Sequence, residues 1–340
     1  MNQTAIIIGA GYGGMATANL LAKAGYKVSV YDKNPTTGGR ISAIKKNGFT
    51  FDVGPSWYLM PEVFEQYYQL FDLSAKERLD IVRFSPAYKV HYENTDTLVI
   101  HGSIDQDKQT FETIEPGSAK VLERYLKTNS LAYQLSLEHF LYNNFKKVRD
   151  VFRWPIIRNA PRMIRLMSQN LDDYVSKYFR SKQLKQLLEY HMVFLGSSPF
   201  QAPAIYTLMS HLDLVSGVYY PRRGMLSLAD DMKAIGSELG VTYNLGVEVQ
   251  KILVEHGRAS GIELADGSRV RADVVISNAD VHHTEAKLLE REYQSFPQKY
   301  WDARQAGPSA LLVSLGVRGA LPSLNHHNLF FCRKVARKFS

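Results

Sequence analysis

The chain has 340 residues, which is too long for one ordinary hydrophobic core and fits two domains or one elaborated domain. Apolar residues make up 45% and charged residues 22%, so the composition excludes a disordered chain. The single cysteine, Cys332, excludes an intrachain disulfide and a thiolate metal cage, and it fits a reducing compartment. The net charge of +8 leaves two anionic partners open, nucleic acid and a membrane surface.

The sequence contains no uncharged apolar run that approaches the roughly 18 residues needed to span a bilayer. Its first apolar run, Ala5 to Ile8, is short and leads straight into glycines, so it indicates a strand and not a secretory signal. We therefore expect a cytoplasmic protein, and any membrane contact is expected to be peripheral.

The first 32 residues indicate a strand, a glycine turn, a helix and a second strand. Ala5 to Ile8 is a short β-branched run of the kind found in buried parallel strands. Gly13 to Ala24 has helical spacing, and Lys27 to Tyr31 forms the next strand. Right-handed closure of such a unit makes the two strands parallel neighbours.

The rest of the chain alternates between helical and strand patterns. Residues 61–73 indicate a helix, 88–114 antiparallel strands, 117–215 mostly helices and 241–277 strands again. The sequence thus predicts an α/β fold in which a nucleotide-binding domain is completed by non-contiguous segments. The predicted bounds are 1–90 and 218–292 for that domain, and 91–217 and 293–340 for a second domain.

The turn after the first strand carries the pattern G-x-G-x-x-G at Gly9, Gly11 and Gly14. In dinucleotide-binding folds the first glycine allows the sharp turn, and the second lets the backbone approach a pyrophosphate. The third lets the helix pack closely on the strand. The N–H groups at the start of the helix then point at the phosphates. The same pattern also occurs in simple tight turns, so its meaning depends on what surrounds it.

The surrounding residues favour a dinucleotide, and among dinucleotides they favour FAD. Asp32 ends the second strand about twenty residues on, where a carboxylate accepts hydrogen bonds from ribose hydroxyls. Gly38-Gly39-Arg40 follows, and it supplies a second close backbone approach with a cation that offsets phosphate charge. NAD sites do not usually need that element.

Several blocks of the sequence resemble FAD-dependent phytoene desaturases of the bacterial type and their amine-oxidase-like relatives. The glycine loop, Asp32 and Gly38-Gly39-Arg40 belong to this resemblance, which runs over nearly the whole chain. It implies a Rossmann-like FAD-binding domain with an inserted mixed-sheet and helical domain for substrate and membrane. The other matching blocks are Phe51-Asp52-Val53-Gly54-Pro55-Ser56, Phe194-Leu195-Gly196-Ser197-Ser198-Pro199, Tyr219-Tyr220-Pro221-Arg222-Arg223-Gly224-Met225 and Ala272-Asp273-Val274-Val275-Ile276-Ser277-Asn278-Ala279-Asp280.

The motif and the resemblance together give a set of predicted cofactor residues. The resemblance implies that the backbone of Val249 contacts the adenine and that Gly54-Pro55-Ser56 lies near the flavin; from the residues alone these are a strand residue and a turn. Trp57 and Tyr58 are predicted either to line the substrate channel or to pack in the core. The predicted cofactor-binding residues are Gly9, Gly11, Tyr12, Gly13, Gly14, Asp32, Lys33, Gly38, Gly39, Arg40, Gly54, Pro55, Ser56, Val249 and Asn278.

The sequence departs from the family pattern at two places. Arg223 stands where the family has a glycine, so the family pattern does not predict the backbone conformation of this turn. The chain also ends at Ser340, and nothing in it matches the glycine-rich C-terminal segment of the family that closes over the flavin. We therefore expect a C-terminally incomplete chain, whose own activity is open.

The resemblance implies desaturation of a carotenoid precursor such as phytoene, a long apolar isoprenoid, by hydride transfer to FAD. That chemistry needs neither a metal nor a nucleophile, and the sequence assigns no catalytic base. The adjacent pairs His282-His283 and His326-His327 point to different faces, so no metal site is predicted. The alternatives are a retinoid saturase or an amine oxidase on the same scaffold, or a truncated non-catalytic FAD-binding protein.

Residues 145–166 are a candidate membrane surface because apolar and basic side chains alternate there. Asp150 is the only acid, and a core-packed helical pair with a solvated basic face is the competing interpretation. No motif for nucleic acid accompanies the positive charge, so nucleic acid is not predicted as a partner. The sequence gives no oligomeric state. The apolar and basic residues of this segment are Phe145, Val151, Phe152, Trp154, Ile156, Ile157, Met163, Ile164, Leu166, Lys146, Lys147, Arg149, Arg153, Arg158, Arg162 and Arg165.

Overall fold

The computed structural model describes residues 3–93, 96–147, 154–304, 307 and 309–331. The chain divides into two compact units, each made of two separate segments. The first unit comprises residues 1–82 and 220–306, and the second comprises residues 83–219 and 307–340.

The strands and helices are numbered separately in chain order. The strands are β1 (Thr4–Ile8), β2 (Lys27–Asp32), β3 (Ser42–Lys46), β4 (Phe49–Val53), β5 (Ile81–Arg83), β6 (Tyr88–Tyr92), β7 (Leu98–Ile100), β8 (Tyr219–Pro221), β9 (Thr242–Leu245), β10 (Val249–Glu255), β11 (Arg258–Leu264), β12 (Arg269–Arg271), β13 (Val274–Ser277) and β14 (Asn328–Phe331). The α-helices are α1 (Tyr12–Lys23), α2 (Pro61–Gln69), α3 (Ala75–Arg78), α4 (Ile104–Ile114), α5 (Ser118–Leu135), α6 (Trp154–Met167), α7 (Leu171–Val175), α8 (Lys182–Glu189), α9 (Leu208–His211), α10 (Leu226–Glu238), α11 (Val281–His283) and α12 (Gln298–Asp302).

The centre of the first unit is a parallel sheet with the strand order β13-β1-β2-β9. Residues Ile6 and Ile7 of β1 point to opposite faces and are both buried, so both faces of the strand are covered, which is why every residue after Thr4 is apolar. One face packs on α1 through Ala18, and the other packs on β10 and β11 through Val249 and Ile262. The predicted parallel pairing of the first two strands is confirmed, with Ile7 opposite Val30.

The first unit also contains two hairpins, and β12 pairs with β11. Strands β10 and β11 are antiparallel and join through His256-Gly257, where both residues have positive φ, as tight hairpin turns require. Strands β3 and β4 join in the same way through Asn47-Gly48. The predicted strand region 241–277 is therefore confirmed as β9 to β13.

The second unit contains helices and a separate three-stranded sheet of order β14-β6-β7. Its helix α5, the longest among the residues that the structure describes, buries a face that includes Leu122, Tyr125 and Asn129. Tyr125 lies in an aromatic cluster with Tyr178 and Phe179, at ring-centroid distances of 5.3 and 5.7 Å. Among the helices that the structure describes, none is long and apolar enough to cross a membrane.

The structure corrects one predicted element. Residues 88–114 were expected to be strands, but only β6 and β7 are, and Ile104–Ile114 is helix α4. Its apolar residues are too sparse to reveal the helical period, because the buried face is completed by Asp107 between Ile104 and Phe111. The buried Asp107 carboxylate accepts a hydrogen bond from the N–H of His101 at 2.7 Å, which offsets part of its desolvation, and burial raises the pKa of Asp107 to about 6.

The unit boundaries also differ from the predicted domain boundaries. Residues 83–90 belong to the second unit, because β6 pairs with both β7 and β14. Residues 293–306 belong to the first unit, where Trp301 stacks on His282 at 4.6 Å. The assignment of cofactor to one unit and of substrate to the other stays a prediction.

Candidate functional site

A cavity of about 910 Å³ opens in the first unit where β1, β2 and β13 end. Ligands of parallel α/β sheets bind at the carboxyl ends of the strands, and this cavity lies there. The predicted residues that line it are Gly9, Gly11, Tyr12, Asp32, Lys33, Gly38, Gly39, Arg40, Pro55, Val249 and Asn278.

The glycine loop turns the chain from β1 into α1 with no room for side chains at two positions. Gly9 has a φ of +104°, and its N–H donates to the Tyr31 carbonyl at 2.7 Å, which fixes the turn against β2. A Cβ atom on Gly14 would lie 2.0 Å from the Gly9 carbonyl oxygen. The first and third glycines are thus required by the fold itself.

Gly11 differs from them because the fold leaves room for a side chain at this position. It stands just before α1 with extended backbone, and a Cβ there would meet no atom nearer than 3.9 Å. The first α-helical bond runs from the Met15 N–H to the Gly11 carbonyl, so the N–H groups of Tyr12, Gly13 and Gly14 precede the helical ladder. Such a helix start is suited to an anionic group.

Asp32 is held in place by three donors at the end of β2. One carboxylate oxygen accepts the Ala10 N–H at 2.7 Å, and the other accepts the backbone and side-chain N–H groups of Asn34 at 2.8 and 3.0 Å. The carboxylate therefore ties the glycine loop to β2 and still lines the cavity. The carboxylate oxygens keep lone pairs that can accept hydrogen bonds from hydroxyl groups.

Gly38 and Gly39 bring a second loop against the glycine turn. The Gly38 N–H donates to the Ala10 carbonyl at 2.9 Å, and Gly38 has a φ of +109°. A Cβ on Gly39 would lie 3.1 Å from the Gly11 Cα, so the two backbones are almost in contact. This approach brings the exposed Arg40 to the wall of the cavity that holds Gly11.

The other wall of the cavity is formed by Val249 at the start of β10 and by Asn278 after β13. Val249 is buried in the core on one face of the parallel sheet. The Asn278 N–H donates to the Ile8 carbonyl at 2.8 Å, and its amide oxygen lies 2.9 Å from where a Cβ on Gly13 would be. The end of β13 is therefore packed directly on the start of α1.

Six predicted residues do not line this cavity. Gly13 and Gly14 support it from the helix start, as described above. Gly54 has a φ of +119° and a Cβ there would lie 2.2 Å from the Arg40 carbonyl oxygen, so it serves a close backbone contact. Ser56 is exposed and Trp57 is half-buried. Tyr58 is buried and stacks on Phe64 at 4.5 Å, and its assignment to substrate stays a prediction.

Asp52 connects two of the blocks that carry the family resemblance. Its carboxylate accepts hydrogen bonds from the Tyr220 hydroxyl and from the Met225 N–H, the latter at 2.9 Å. The Tyr12 hydroxyl donates to the Met225 carbonyl at 3.1 Å, which holds the Tyr12 ring at the cavity wall. Burial raises the pKa of Tyr12, and the charge of Asp52 adds to this effect, so Tyr12 stays a neutral donor.

The same turn explains why Arg223 is tolerated in place of the family's glycine. Arg223 is not among the residues with positive φ, whereas Gly224 has a φ of +88°. A Cβ on Gly224 would also lie 3.0 Å from the Asp52 carboxylate. The turn therefore requires glycine at position 224 and not at position 223.

The cavity also contains residues that the sequence did not predict. Asn34 and Asp280 follow β2 and β13 directly, so the rule that ligands bind beyond parallel strands could have indicated them. Asp280 accepts the His282 N–H at 2.9 Å and thereby caps α11. His283 lies at the end of α11 and Lys287 in the helical turn Thr284–Leu288, and the sequence has no local signal that places either residue at the cavity.

Within the part of the chain that the structure describes, no cluster of three or more His, Cys, Asp or Glu side chains could hold a metal ion. His282 stacks on Trp301, and His326 packs on Phe84 at 4.5 Å. His327 lies against His326 at 4.6 Å, and His283 lines the cavity.

The family model for flavin-containing amine oxidoreductases matches residues 12–319 of this chain. The chain belongs to that family. The flavin of the family and the cavity at the glycine loop identify FAD as the cofactor. The residues fit FAD. The free N–H groups at the start of α1 can bind a diphosphate, and Gly11 has no side chain that would keep it from the backbone. The Asp32 carboxylate lies where it can accept hydrogen bonds from a ribose.

The curated relatives that resemble this chain include carotenoid enzymes. The carotenoid 3,4-desaturase of Haloarcula japonica is 37% identical over 325 residues, which is 95% of this chain and 65% of the relative. The zeta-carotene-forming phytoene desaturase of Myxococcus xanthus is 30% identical over 98% of this chain and 64% of the relative. The phytoene desaturase of Fusarium fujikuroi is 31% identical over 100% of this chain and 59% of the relative. The chain thus spans less than two thirds of the length of these relatives.

Solved structures confirm the fold class. An oxidoreductase from Methanosarcina mazei superposes with a TM-score of 0.57 and 20% identity over 88% of this chain and 63% of its own. The cyclohexylamine oxidase of Brevibacterium oxydans superposes with a TM-score of 0.54 and 16% identity, over 88% of this chain and 62% of its own. The predicted Rossmann-like FAD-binding fold of the amine-oxidase type is confirmed.

Proposed function

We propose that this flavoprotein desaturates a carotenoid precursor such as phytoene, a long apolar isoprenoid. The observation that carries the proposal is the 37% identity to a carotenoid 3,4-desaturase over 95% of the chain. The FAD cavity of the first unit supports it, because it supplies the site that a flavin-dependent desaturation needs.

The residues of the cavity would bind and orient the cofactor. The N–H groups at the start of α1 would hold the diphosphate, with Arg40 offsetting its charge. Asp32 would accept the ribose hydroxyls, and Val249 would contact the adenine. The chemistry that FAD supplies when bound is the acceptance of a hydride from an allylic carbon of the substrate. A proton then leaves the adjacent carbon, and the structure assigns no base to it.

Two other functions compete on the same scaffold. An amine oxidase is favoured by the family model and by the cyclohexylamine oxidase fold match, although the latter is only 16% identical. A retinoid saturase is the other option on this scaffold. A non-catalytic FAD-binding protein is the alternative from a different class, and it matters because the chain spans only 65% of the Haloarcula relative.

We further propose peripheral attachment to the cytoplasmic side of a membrane through residues 145–166, of which 148–153 lie outside the described residues. At 3.6 residues per turn, Trp154, Ile157 and Ile164 of α6 fall within an arc of about 80°. All three are exposed, and Trp154 is 71% exposed. Arg158 and Arg165 lie next to this arc, both on the side of Trp154, and are exposed too. An apolar face beside a basic one suits an interface with anionic lipid.

Expression in cells that accumulate phytoene tests the proposed reaction. The chain is expressed alone and joined to the part of the Haloarcula relative that lies outside the match, and pigments are identified by chromatography and absorbance. New conjugated double bonds in either strain support the proposal. Phytoene unchanged in both strains, with FAD bound to both proteins, would contradict it and favour the non-catalytic alternative. Hydrogen peroxide produced from added amines by the purified proteins would instead favour an amine oxidase.

A further inference from the structure

The second unit contains a smaller cavity, of about 330 Å³, whose polar lining is cationic. It lies between α5 and the segment that follows α7. Nothing in the flavin chemistry proposed above uses it. The residues that line it are Val121, Arg124, Ser176, Lys177, Tyr178 and Arg180.

The backbone of this cavity is fixed by the core beneath it. The N–H groups of Lys177 and Tyr178 donate to the carbonyls of Tyr174 and Val175, at 3.2 and 2.9 Å, which continues the turn beyond α7. The Tyr178 ring packs against Tyr125 of α5 at 5.3 Å. The wall formed by residues 176–180 is therefore anchored to the wall formed by α5.

Glu115 fixes the far end of the same segment. Its carboxylate accepts the backbone N–H groups of Arg180 and Ser181, at 3.0 and 2.7 Å. The acid thus faces the backbone, and the Arg180 side chain is exposed and belongs to the cavity lining. The position of Arg180 is therefore built into the fold and does not depend on a ligand.

The acidic side chains on the surrounding elements are already engaged. Glu123 forms an ion pair with Lys108, and Asp173 accepts the side-chain N–H of Asn170 at 2.7 Å. Asp172 lies against the buried Glu189. Within the described residues, neither Arg124 nor Arg180 forms an ion pair.

A further cation stands at the edge of the cavity. The Lys185 ammonium donates to the Ser176 hydroxyl at 3.2 Å, and the Lys177 ammonium donates to the side-chain oxygen of Gln169. Arg124, Lys177, Lys185 and Arg180 thus surround one concavity whose lining has no acid. Like charges held together in this way repel one another unless an anion lies between them.

We propose that this cavity binds a phosphate group, carried either by a membrane lipid or by a soluble compound. Two guanidinium groups offer the paired donors that match phosphate oxygens, and the ammonium and hydroxyl groups add single donors. The proposal goes beyond the desaturase function and does not depend on it. Basic pockets of membrane-associated proteins are a known way of binding anionic headgroups, which is the reason to include the lipid arm.

The test compares R124Q/R180Q with K45Q/K46Q, which removes the same charge from the exposed end of β3 in the first unit. Thermal melting first establishes that both variants are folded. Each protein is then titrated calorimetrically with inorganic pyrophosphate in excess FAD, so that the flavin cavity is not the site measured. Sedimentation with phosphatidylcholine vesicles, with and without phosphatidylglycerol, forms the second arm.

In one arm at least, we expect R124Q/R180Q to weaken binding by about tenfold and K45Q/K46Q to leave it unchanged. A loss confined to pyrophosphate identifies a soluble phosphate compound, and a loss confined to phosphatidylglycerol vesicles identifies a lipid headgroup. Equal binding by both variants and the parent protein in both arms would overturn the proposal. Neither arm measures turnover, so failure here leaves the desaturase proposal untouched.

Discussion

Gly11 and Gly14 belong to the same motif but serve different ends. The hydrogen atom of Gly14 is needed because the Gly9 carbonyl lies 2.0 Å from where a Cβ would be. The hydrogen atom of Gly11 is needed only if something approaches the backbone from the cavity, since its nearest neighbour is 3.9 Å away. Substitutions at these two positions can therefore separate the fold from the binding of FAD.

We expect Gly14→Ala to destabilise the chain by roughly 1–3 kcal/mol, because α1 must move away from β1. Gly11→Ala should melt like the parent protein, since its φ of −76° suits any residue, and should bind FAD at least about tenfold more weakly. Thermal melting and titration of flavin fluorescence measure the two effects. Undiminished FAD affinity in Gly11→Ala would contradict the placement of the diphosphate at this helix start.

Asp32 allows a second test at the scale of one residue. Asp32→Asn keeps the shape of the side chain but turns one acceptor into a donor, which then faces an N–H of Ala10 or Asn34. Because hydrogen bonds to a charged group contribute about 1.5–3 kcal/mol, we expect FAD affinity to fall by about tenfold or more. Asp105→Asn, at an exposed position in the second unit, is the control that should leave flavin titrations unchanged.

Helix α6 carries the membrane proposal at the scale of an element. Replacing Trp154, Ile157 and Ile164 by serine should lower partitioning onto phosphatidylglycerol vesicles by at least about tenfold. The reason is that each of the three apolar side chains moves from water into the lipid when the parent protein binds, and serine does not gain from this transfer. The melting temperature should not change, since all three are exposed. The control replaces the exposed leucines Leu20, Leu70 and Leu239 of the first unit by serine. Equal vesicle binding by the two triple variants would exclude α6 as the contact surface.

The end of helix α8 predicts a dependence of stability on pH. Burial, with a smaller contribution from Asp172, raises the pKa of Glu189 to about 8. The folded state therefore keeps a proton on Glu189 that the unfolded state loses. The contribution of this protonated side chain to the free energy of unfolding is complete below about pH 4.5, and it is lost as the pH rises to about 8.

Glu189→Gln should remove this slope, because a neutral amide replaces the neutral acid at every pH. At pH 8 the variant should be more stable than the parent protein by a few kcal/mol, at roughly 1.4 kcal/mol per unit of pKa shift. Urea unfolding at pH 5 and pH 8 measures the difference between the two proteins. If the difference in stability between the parent protein and the variant were the same at pH 8 as at pH 5, the result would contradict a buried protonated Glu189.

The sequence was most informative where an element is specified by its own residues. The β-branched run of β1 and the glycines that follow it fixed the first strand, helix and strand to within a residue or two. Helix α4 was missed because a buried carboxylate, Asp107, takes a core position that a pattern search reserves for apolar residues. The polar partner that makes this possible, the His101 N–H, is visible only in three dimensions.

At the scale of the whole molecule, the boundaries of the two units depend on contacts between distant parts of the chain. Residues 83–90 join the second unit because β6 pairs with β14, which is more than 200 residues away. The cavity shows the same limit: Asp32 and Gly38 were predicted from nearby residues, whereas Lys287 reaches it through a turn that follows β13. Motifs thus predicted part of the lining of this cavity, and residues from distant parts of the chain complete the lining.

A crystal structure of the chain with FAD tests the central claim most directly, namely that the glycine loop of the first unit holds the cofactor. We expect oxygen atoms of the diphosphate within hydrogen-bonding distance of the N–H groups of Tyr12 and Gly13, and a ribose beside Asp32. Density for FAD elsewhere on the chain, or a saturated crystal with no flavin at the start of α1, would contradict the account.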